Sequence, residues 1–328
     1  MYEPTRPGAA TAVTATALAV DLFLYTSLVP LLPALPVVSR SPALSGTLFA
    51  VYALALLAAT PAVGIWVDRV GPRVPLLAGL LGTAVATAAF AAATGIERAA
   101  IWLLLLARAA QGVAAAVSWT AGLVLIAVTH EPDRRGAAMG VALSAAWFGA
   151  LLGPAASGTL ADSFGLGAPF ILVAVFVAAD AAARIVLIKP MPTAAVRTPY
   201  QALAGAPLLP TLIGLTGLSA AALAFPEPIL PAHLHTLGLT SSAIGLVFAG
   251  VALSGSLAAP AAGVLTDRIG ARRIAAIGTV ITGIGFVLAG GKPAPWSIAG
   301  LVTLGFGAQL ILSPTLVMIA AAPRGAVL

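Results

Sequence analysis

The sequence predicts an all-α integral membrane protein built as two repeated helical bundles. Three observations predict it: extreme apolarity, a succession of runs long enough to cross a bilayer, and a duplicated loop motif. Hydrophobic residues make up 60% and charged residues 8% of the 328, with a mean hydropathy of +1.08. That is more apolar surface than a soluble core can hide. Runs able to cross ~30 Å of hydrocarbon, about 20 residues at 1.5 Å each, follow one another almost without pause. They are far longer than the roughly 10-residue alternating strands of a membrane barrel, and backbone groups in lipid must be paired inside the segment, so the runs read as helices.

Ten spans follow, over 10–34, 43–67, 74–95, 99–129, 135–161, 168–188, 206–232, 241–266, 273–290 and 295–320. The first begins behind only Arg6, lacks a small-residue cleavage site and carries Asp21, so it reads as a retained helix rather than a signal peptide. A cytoplasmic N-terminus puts eleven basic residues on that side: Arg6, Arg69, Arg73, Arg134, Arg135, Lys189, Arg197, Arg268, Arg272, Arg273 and Arg324. The other side receives three, Arg40, Arg98 and Lys292, a bias that sets both termini in the cytoplasm. The formal charge of +6 is spread over these short loops and forms no basic stripe, which argues against nucleic acid as a partner. There is no cysteine, hence no disulfide or thiolate metal site. His233 and His235 read as solvated loop residues with no acidic cluster to make a metal centre. No cofactor is expected.

The loop after the second span, Pro61-Ala-Val-Gly-Ile-Trp-Val-Asp-Arg-Val-Gly-Pro-Arg73, recurs after the eighth as Pro260-Ala-Ala-Gly-Val-Leu-Thr-Asp-Arg-Ile-Gly-Ala-Arg272, with seven of thirteen positions identical. Upstream, Val29-Pro-Leu-Leu-Pro-Ala34 matches Glu227-Pro-Ile-Leu-Pro-Ala232. Six spans separate the copies, and an even number returns the chain to the same side, so the repeats are parallel about an axis along the membrane normal. The expected organisation is a six-helix bundle over 1–189, a proline-rich cytoplasmic linker over 190–205 and a four-helix bundle over 206–328. A complete repeat needs twelve helices, so the chain reads as truncated after the tenth.

These residues resemble the major facilitator superfamily, whose signature is Gly-x-x-x-Asp-Arg-x-Gly-x-Arg. Gly64, Asp68, Arg69, Gly71 and Arg73 match it, and Gly263, Asp267, Arg268, Gly270 and Arg272 match its second copy. In physical terms the glycines permit close helix approach and a tight turn, and the charges suit a helix terminus and anionic headgroups. Arg108-Ala-Ala-Gln111-Gly112 is similar to an element of the family's fourth helix. Gly140, Gly149, Gly153, Pro154 and Gly158 fit the antiporter element of the fifth, although Ser157 replaces one expected glycine. Small residues there let helices pack backbone to backbone, and the proline frees a carbonyl. The resemblance implies the drug:proton antiporter branch.

A narrower likeness, to the vesicular amine transporter group, rests on Asp21 with Val29-Pro-Leu-Leu-Pro33, on Arg69-Val-Gly-Pro-Arg-Val-Pro-Leu-Leu-Ala-Gly79, on Ala107-Arg-Ala-Ala-Gln-Gly112, on Ala168-Pro-Phe170 with Asp180, and on Glu227-Pro-Ile-Leu-Pro231. It implies cation and proton handling by Asp21, Arg108 and Glu227; Gln111, Tyr52 and Asp180 are further candidate substrate- or proton-binding residues. Two departures stand out. Tyr52 replaces a basic residue, and the last span lacks the group's acidic residue, Gln309 being its only strongly polar side chain, so amine specificity does not carry over.

Charge cost singles out overlapping positions without the resemblance. A charge at the centre of a spanning helix costs about 2.5–3.5 kcal/mol on insertion scales, so such residues are functional candidates. Asp21, Arg108, Asp180, Arg184 and Glu227 qualify. Asp21 has no evident local partner and reads as a proton or cation site, or else as a buried hydrogen-bonding carboxyl. Asp180 and Arg184 are spaced as a helical pair, with Arg184 close enough to the span's end to snorkel. Arg108 and Glu227 are expected at similar depth on opposite bundles, facing one another beside Asp21. The function these features imply is proton-coupled export of a lipophilic, cationic small molecule by alternating access in an inner membrane, with lipid but no obligatory protein as neighbour. The alternatives are an uptake porter for sugars or metabolites, or an inactive truncated transporter. An integral membrane enzyme is disfavoured, since no paired carboxylates, His-rich box or phosphate loop is present.

Overall fold

A computed structural model describes residues 6–35, 38, 42–93, 100–166, 168–187 and 209–321, which hold helices and no strand. In order these are α1 (Pro7–Ser27), a 3-10 turn (Val29–Ala34), α2 (Pro42–Val70), α3 (Arg73–Ala93), α4 (Ala100–Thr129), α5 (Pro132–Phe164) and α6 (Ala168–Leu187). After them come α7 (Leu209–Ala224), α8 (Pro226–Thr236), α9 (Ser241–Ile269), α10 (Ala271–Ala289) and α11 (Ala294–Ala321). Each predicted span falls on a helix or a helix pair. Eight candidate spans among the described residues are long and apolar enough to cross a membrane: α1 with its 3-10 extension, and α2 to α5 and α9 to α11 in whole or part. The linker 190–205 and the basic residues Arg40, Arg98, Lys189, Arg197 and Arg324 lie outside the described residues.

Prolines explain where the helices depart from the predicted spans. The first span stops being α-helical at Ser27, because Pro30 and Pro33 bring no amide hydrogen to the ladder. Leu31 and Leu32 N–H both turn back onto the Leu28 carbonyl and tighten the chain into a 3-10 turn. The seventh span, expected as one helix, is two. Phe225 N–H makes the last α-helical bond, 2.8 Å to Ala221 O, and Pro226 and Pro228 then deny donors to the carbonyls of Ala222 and Ala224.

The chain divides into two compact units, Met1–Arg197 and Thr198–Leu328. In the first, α1 packs on α4, α5 and α6, while α4 also contacts α2 and α3. Its interior includes Ala10, Val13, Val67, Leu76, Val117 and Leu125, and further along Val20, Phe23, Leu80 and Val177. In the second, α11 packs against α7, α9 and α10. Gly278 and Gly285 of α10 and Gly300 and Gly307 of α11 make the closest approach. A Cβ at any of the four would strike the partner helix's backbone, the small-residue packing used where lipid removes the hydrophobic drive between helices. Burial is inverted relative to a soluble protein. Leu54, Leu57, Leu81, Trp102 and Val287 stand exposed, whereas Asp21, Arg108, Asp180 and Arg184 are all buried.

Polar side chains tie helices together in this apolar setting. Ser219 of α7, wholly buried, donates 2.7 Å to Ala308 O of α11. Ser219→Ala is expected to cost about 0.6 kcal/mol, the average for such interhelical bonds, and at most about 1.7 kcal/mol, read as a lower unfolding midpoint in detergent titration. An unchanged midpoint would show that the bond adds nothing to stability. His233 corrects an expectation. It is not a solvated loop residue but half-buried on α8, its Nε2 3.3 Å from Ser297 Oγ and 3.4 Å from Gly291 O, while His235 is exposed.

Candidate functional site

The duplicated loop makes the same turn twice. Gly71 has φ +77° and Gly270 φ +90°, conformations that L side chains avoid. In each, the glycine N–H closes the preceding helix, onto Val67 O at 2.8 Å and Thr266 O at 3.0 Å. Asp68, Arg69, Arg268 and Arg272 are exposed and Arg73 is half-buried. Beyond the backbone, nothing of Gly263, Asp267, Asp133 or Arg135 is among the described residues. Gly64 departs from the close-approach reading, since nothing lies within 4 Å of where its Cβ would stand.

The glycines of α5 divide in the same way. Gly140 has open space, but a Cβ on Gly149 would land on Ala19 O and one on Gly153 on Thr26 Oγ1 and Phe23 O. These two positions let α5 lie backbone to backbone along α1, with Gly158 also buried. Pro154 releases the Ala150 carbonyl, and the Thr26 hydroxyl of α1 donates to it at 3.4 Å.

Two buried polar groups lie inside the first unit. The first surrounds Arg108 of α4, 1% exposed. Its Nη1 donates 2.9 Å to Gln111 Oε1, whose Nε2 donates 3.3 Å to Thr87 Oγ1 of α3, and its Nε donates 3.4 Å to Leu48 O of α2. Three rings flank the guanidinium: Tyr52 at 4.7 Å from the centroid, Tyr25 and Phe49 each at 5.6 Å, within the range of attraction to aromatic faces. Gly112 sets this up, since a Cβ there would collide with Tyr52 O and push α2 away. Arg108, Gln111 and Thr87 line a narrow open recess together with Leu24, Phe90 and Pro169.

In the second group the neighbours of Asp21 come from helices far along the chain. Asp21 of α1, 5% exposed, meets Ser118 of α4 and lies within electrostatic reach of Asp180 and Arg184 of α6. Arg184 does not snorkel. It is 1% exposed, pairs with Asp180 at 2.5 Å, and its Nη1 donates to Leu76 O of α3 and, at 3.4 Å, to Ser118 Oγ. An α6 residue near its helix end turns inward because the adjoining α3 and α4 offer it a carbonyl and a hydroxyl. Asp21 is not among the residues lining the recess of Arg108, so these two expected site residues occupy neighbouring but separate polar groups. Glu227, half-buried in the first turn of α8, belongs to the other unit.

Sequence reasoning passed over Tyr25, Phe49, Thr87 and Ser118. A signal existed for Ser118, which follows Gln111 by seven residues and therefore shares its face of α4. Phe49 and Tyr52, three apart on α2, gave a similar cue. Among the described residues no group of three or more metal-ligating side chains assembles.

Comparison with known proteins is consistent with this architecture. The synaptic vesicular amine transporter of Mus musculus is 28% identical over 267 residues, 80% of this chain and 50% of that protein. The probable vesicular acetylcholine transporter-B of Danio rerio is 32% identical over 256 residues, 72% of this chain and 50% of that protein. The chain thus spans about half the length of the curated relatives it matches. In fold it resembles the crystal structure of a bacterial homolog of the human lysosomal transporter Spinster, inward-facing and unoccupied, with a TM-score of 0.76 at 16% identity over 98% of this chain and 76% of that one. The family profile described as Major Facilitator Superfamily matches residues 14–226 and 212–324, and the chain is a multi-pass membrane protein that belongs to that superfamily.

Proposed function

We propose that the chain carries the translocation machinery of a proton-driven antiporter that exports a lipophilic cation by alternating access. The setting is an inner membrane with both termini cytoplasmic. The observation that carries the reading is the placement of Asp21, Asp180 and Arg184 inside a bundle whose exterior is apolar. Charge is held in such a place at a cost of several kcal/mol per ion, which favours a working role over packing. Similarity to proteins named as amine and acetylcholine transporters supports a cationic solute.

Coupling follows if the proton and the solute cation contend for the same negative charge. Protonation from outside then weakens solute binding, and deprotonation inside restores it. Only such a difference in affinity between states can drive the cycle. The test is Asp21→Asn in proteoliposomes bearing a pH gradient. Movement of a fluorescent lipophilic cation, collapsed by a protonophore in the wild type, is expected to disappear in the variant while its insertion and elution profile are retained. Unchanged pH-driven movement would reduce Asp21 to a packing residue, and movement in the opposite direction would favour an uptake porter.

A further inference from the structure

We infer that Asp21 and Asp180 share one exchangeable proton balanced against Arg184, so that the coupling unit is this two-acid, one-base cluster with Asp180 as its second acid. The inference rests on the antiporter reading for its role in transport, and on geometry for its existence.

Charge counting comes first. Two carboxylates and one guanidinium leave one negative charge in excess, and one proton brings the cluster to neutrality. A bundle interior bordered by lipid strongly favours the neutral sum. Among the described residues, the other cations on the surrounding elements lie at helix ends or farther along their helices. On α4, Arg108 lies ten residues from Ser118 and His130 twelve, roughly 15 and 18 Å along the axis. On α5, Asp133, Arg134 and Arg135 stand at the start and Asp162 near the end, with Arg134 and Asp162 exposed. Arg73 of α3 sits at the turn from α2, three residues before Leu76, and the charges with the largest effect on Asp21 are those of Arg184 and Asp180. Asp180 itself feels Arg184.

Hydrogen-bond satisfaction supplies a second, independent observation. Asp21 Oδ2, Asp180 Oδ1 and Arg184 Nε are buried without a hydrogen-bond partner. Each acid therefore keeps one oxygen with no donor, a place for a proton, and both belong to side chains more than nine-tenths buried. Ser118 joins the two halves. Its oxygen accepts from Arg184 Nη1 at 3.4 Å and its hydroxyl serves Asp21. A proton leaving one acid is compensated by the guanidinium turning toward it, so the acids exchange the proton without either becoming an isolated buried anion. No bond other than O–H is made or broken. Thr83 and Thr87 of α3, both buried and one turn apart, and Gln111 and Ser118 of α4 line polar faces leading from the recess toward the cluster.

The experiment is infrared difference spectroscopy of the purified full chain in lipid nanodiscs, titrated in pH without solute, reading the carbonyl stretch of buried protonated carboxyls. Wild type minus Asp21→Asn and wild type minus Asp180→Asn are each expected to show the loss of the same single carboxyl, because either remaining acid is balanced by Arg184. Arg184→Gln is expected to raise the count from one to two. Arg184→Lys keeps it at one and controls for folding. Survival of the signal in Asp180→Asn would assign the proton to Asp21 alone, survival in Asp21→Asn to Asp180 alone, and either result overturns the sharing. Because no solute is present, failure of cation transport would remove the antiporter reading and leave the titration standing, whereas loss of the shared signal with transport intact would remove only the cluster.

Discussion

Gly149→Val should leave almost no folded protein in the membrane, whereas Gly140→Ala on the same helix should behave as wild type. The Cβ of a residue at 149 would fall on the Ala19 carbonyl, 2.8 Å from its carbon and 2.9 Å from the Ala19 Cα. These are main-chain atoms of α1, and they have no rotamer by which to retreat. Overpacking of a well-filled interior costs typically about 1–3 kcal/mol, and a clash of two backbones belongs at or beyond the top of that range. Position 140 has nothing within 4 Å and serves as the internal control. Size-exclusion profiles and unfolding midpoints of the two variants decide the matter. A Gly149→Val protein with a wild-type midpoint would show that α1 and α5 do not touch as described.

The second large effect concerns the arginine among the rings. Arg108→Lys is expected to destabilise the protein by about 2 kcal/mol although it keeps the charge. Lysine offers a compact ammonium in place of a planar fork, and so cannot serve Leu48 O and Gln111 Oε1 while lying against Tyr52. Hydrogen bonds from charged groups are worth about 1.5–3 kcal/mol, and a desolvated cation over an aromatic face about 2 kcal/mol. A double-mutant cycle with Tyr52→Leu separates the two contributions. Coupling of at least ~1 kcal/mol assigns the ring a direct share, and coupling near zero would mean that Tyr52 merely borders the guanidinium.

Most of the fold was legible because its determinants are local. Span lengths follow from apolar runs, the break after Phe225 from Pro226 and Pro228, and the paired turns from Gly71 and Gly270. The prolines were visible in the sequence and their weight was underestimated. The Asp180–Arg184 pair was readable for the same reason, being one helical turn apart. What was not legible required knowing which helices touch. Asp21 seemed isolated because its neighbours come from α4 and α6, about 100 and 160 residues later. Arg184 was assigned a snorkelling role because helix-end position is a local property, while the carbonyl of Leu76 that draws it inward is not. The same limit separated Gly149 from Gly140: both are small residues on one helix, and only the course of α1 distinguishes a contact from open space.

The seating of α1 on α5 has a mechanical consequence. Ala19 and Phe23, which rest on Gly149 and Gly153, flank Asp21 in sequence, and two residues of helix turn the side chain by about 200°. Asp21 therefore projects away from the surface on which its own backbone is clamped. Main chain against main chain leaves no side-chain slack, so α1 cannot roll about its axis to relieve a change of charge at Asp21. Any displacement is handed to α5 as a rigid shift, and α5 is 33 residues long, a lever of about 50 Å whose far ends move further than its fulcrum.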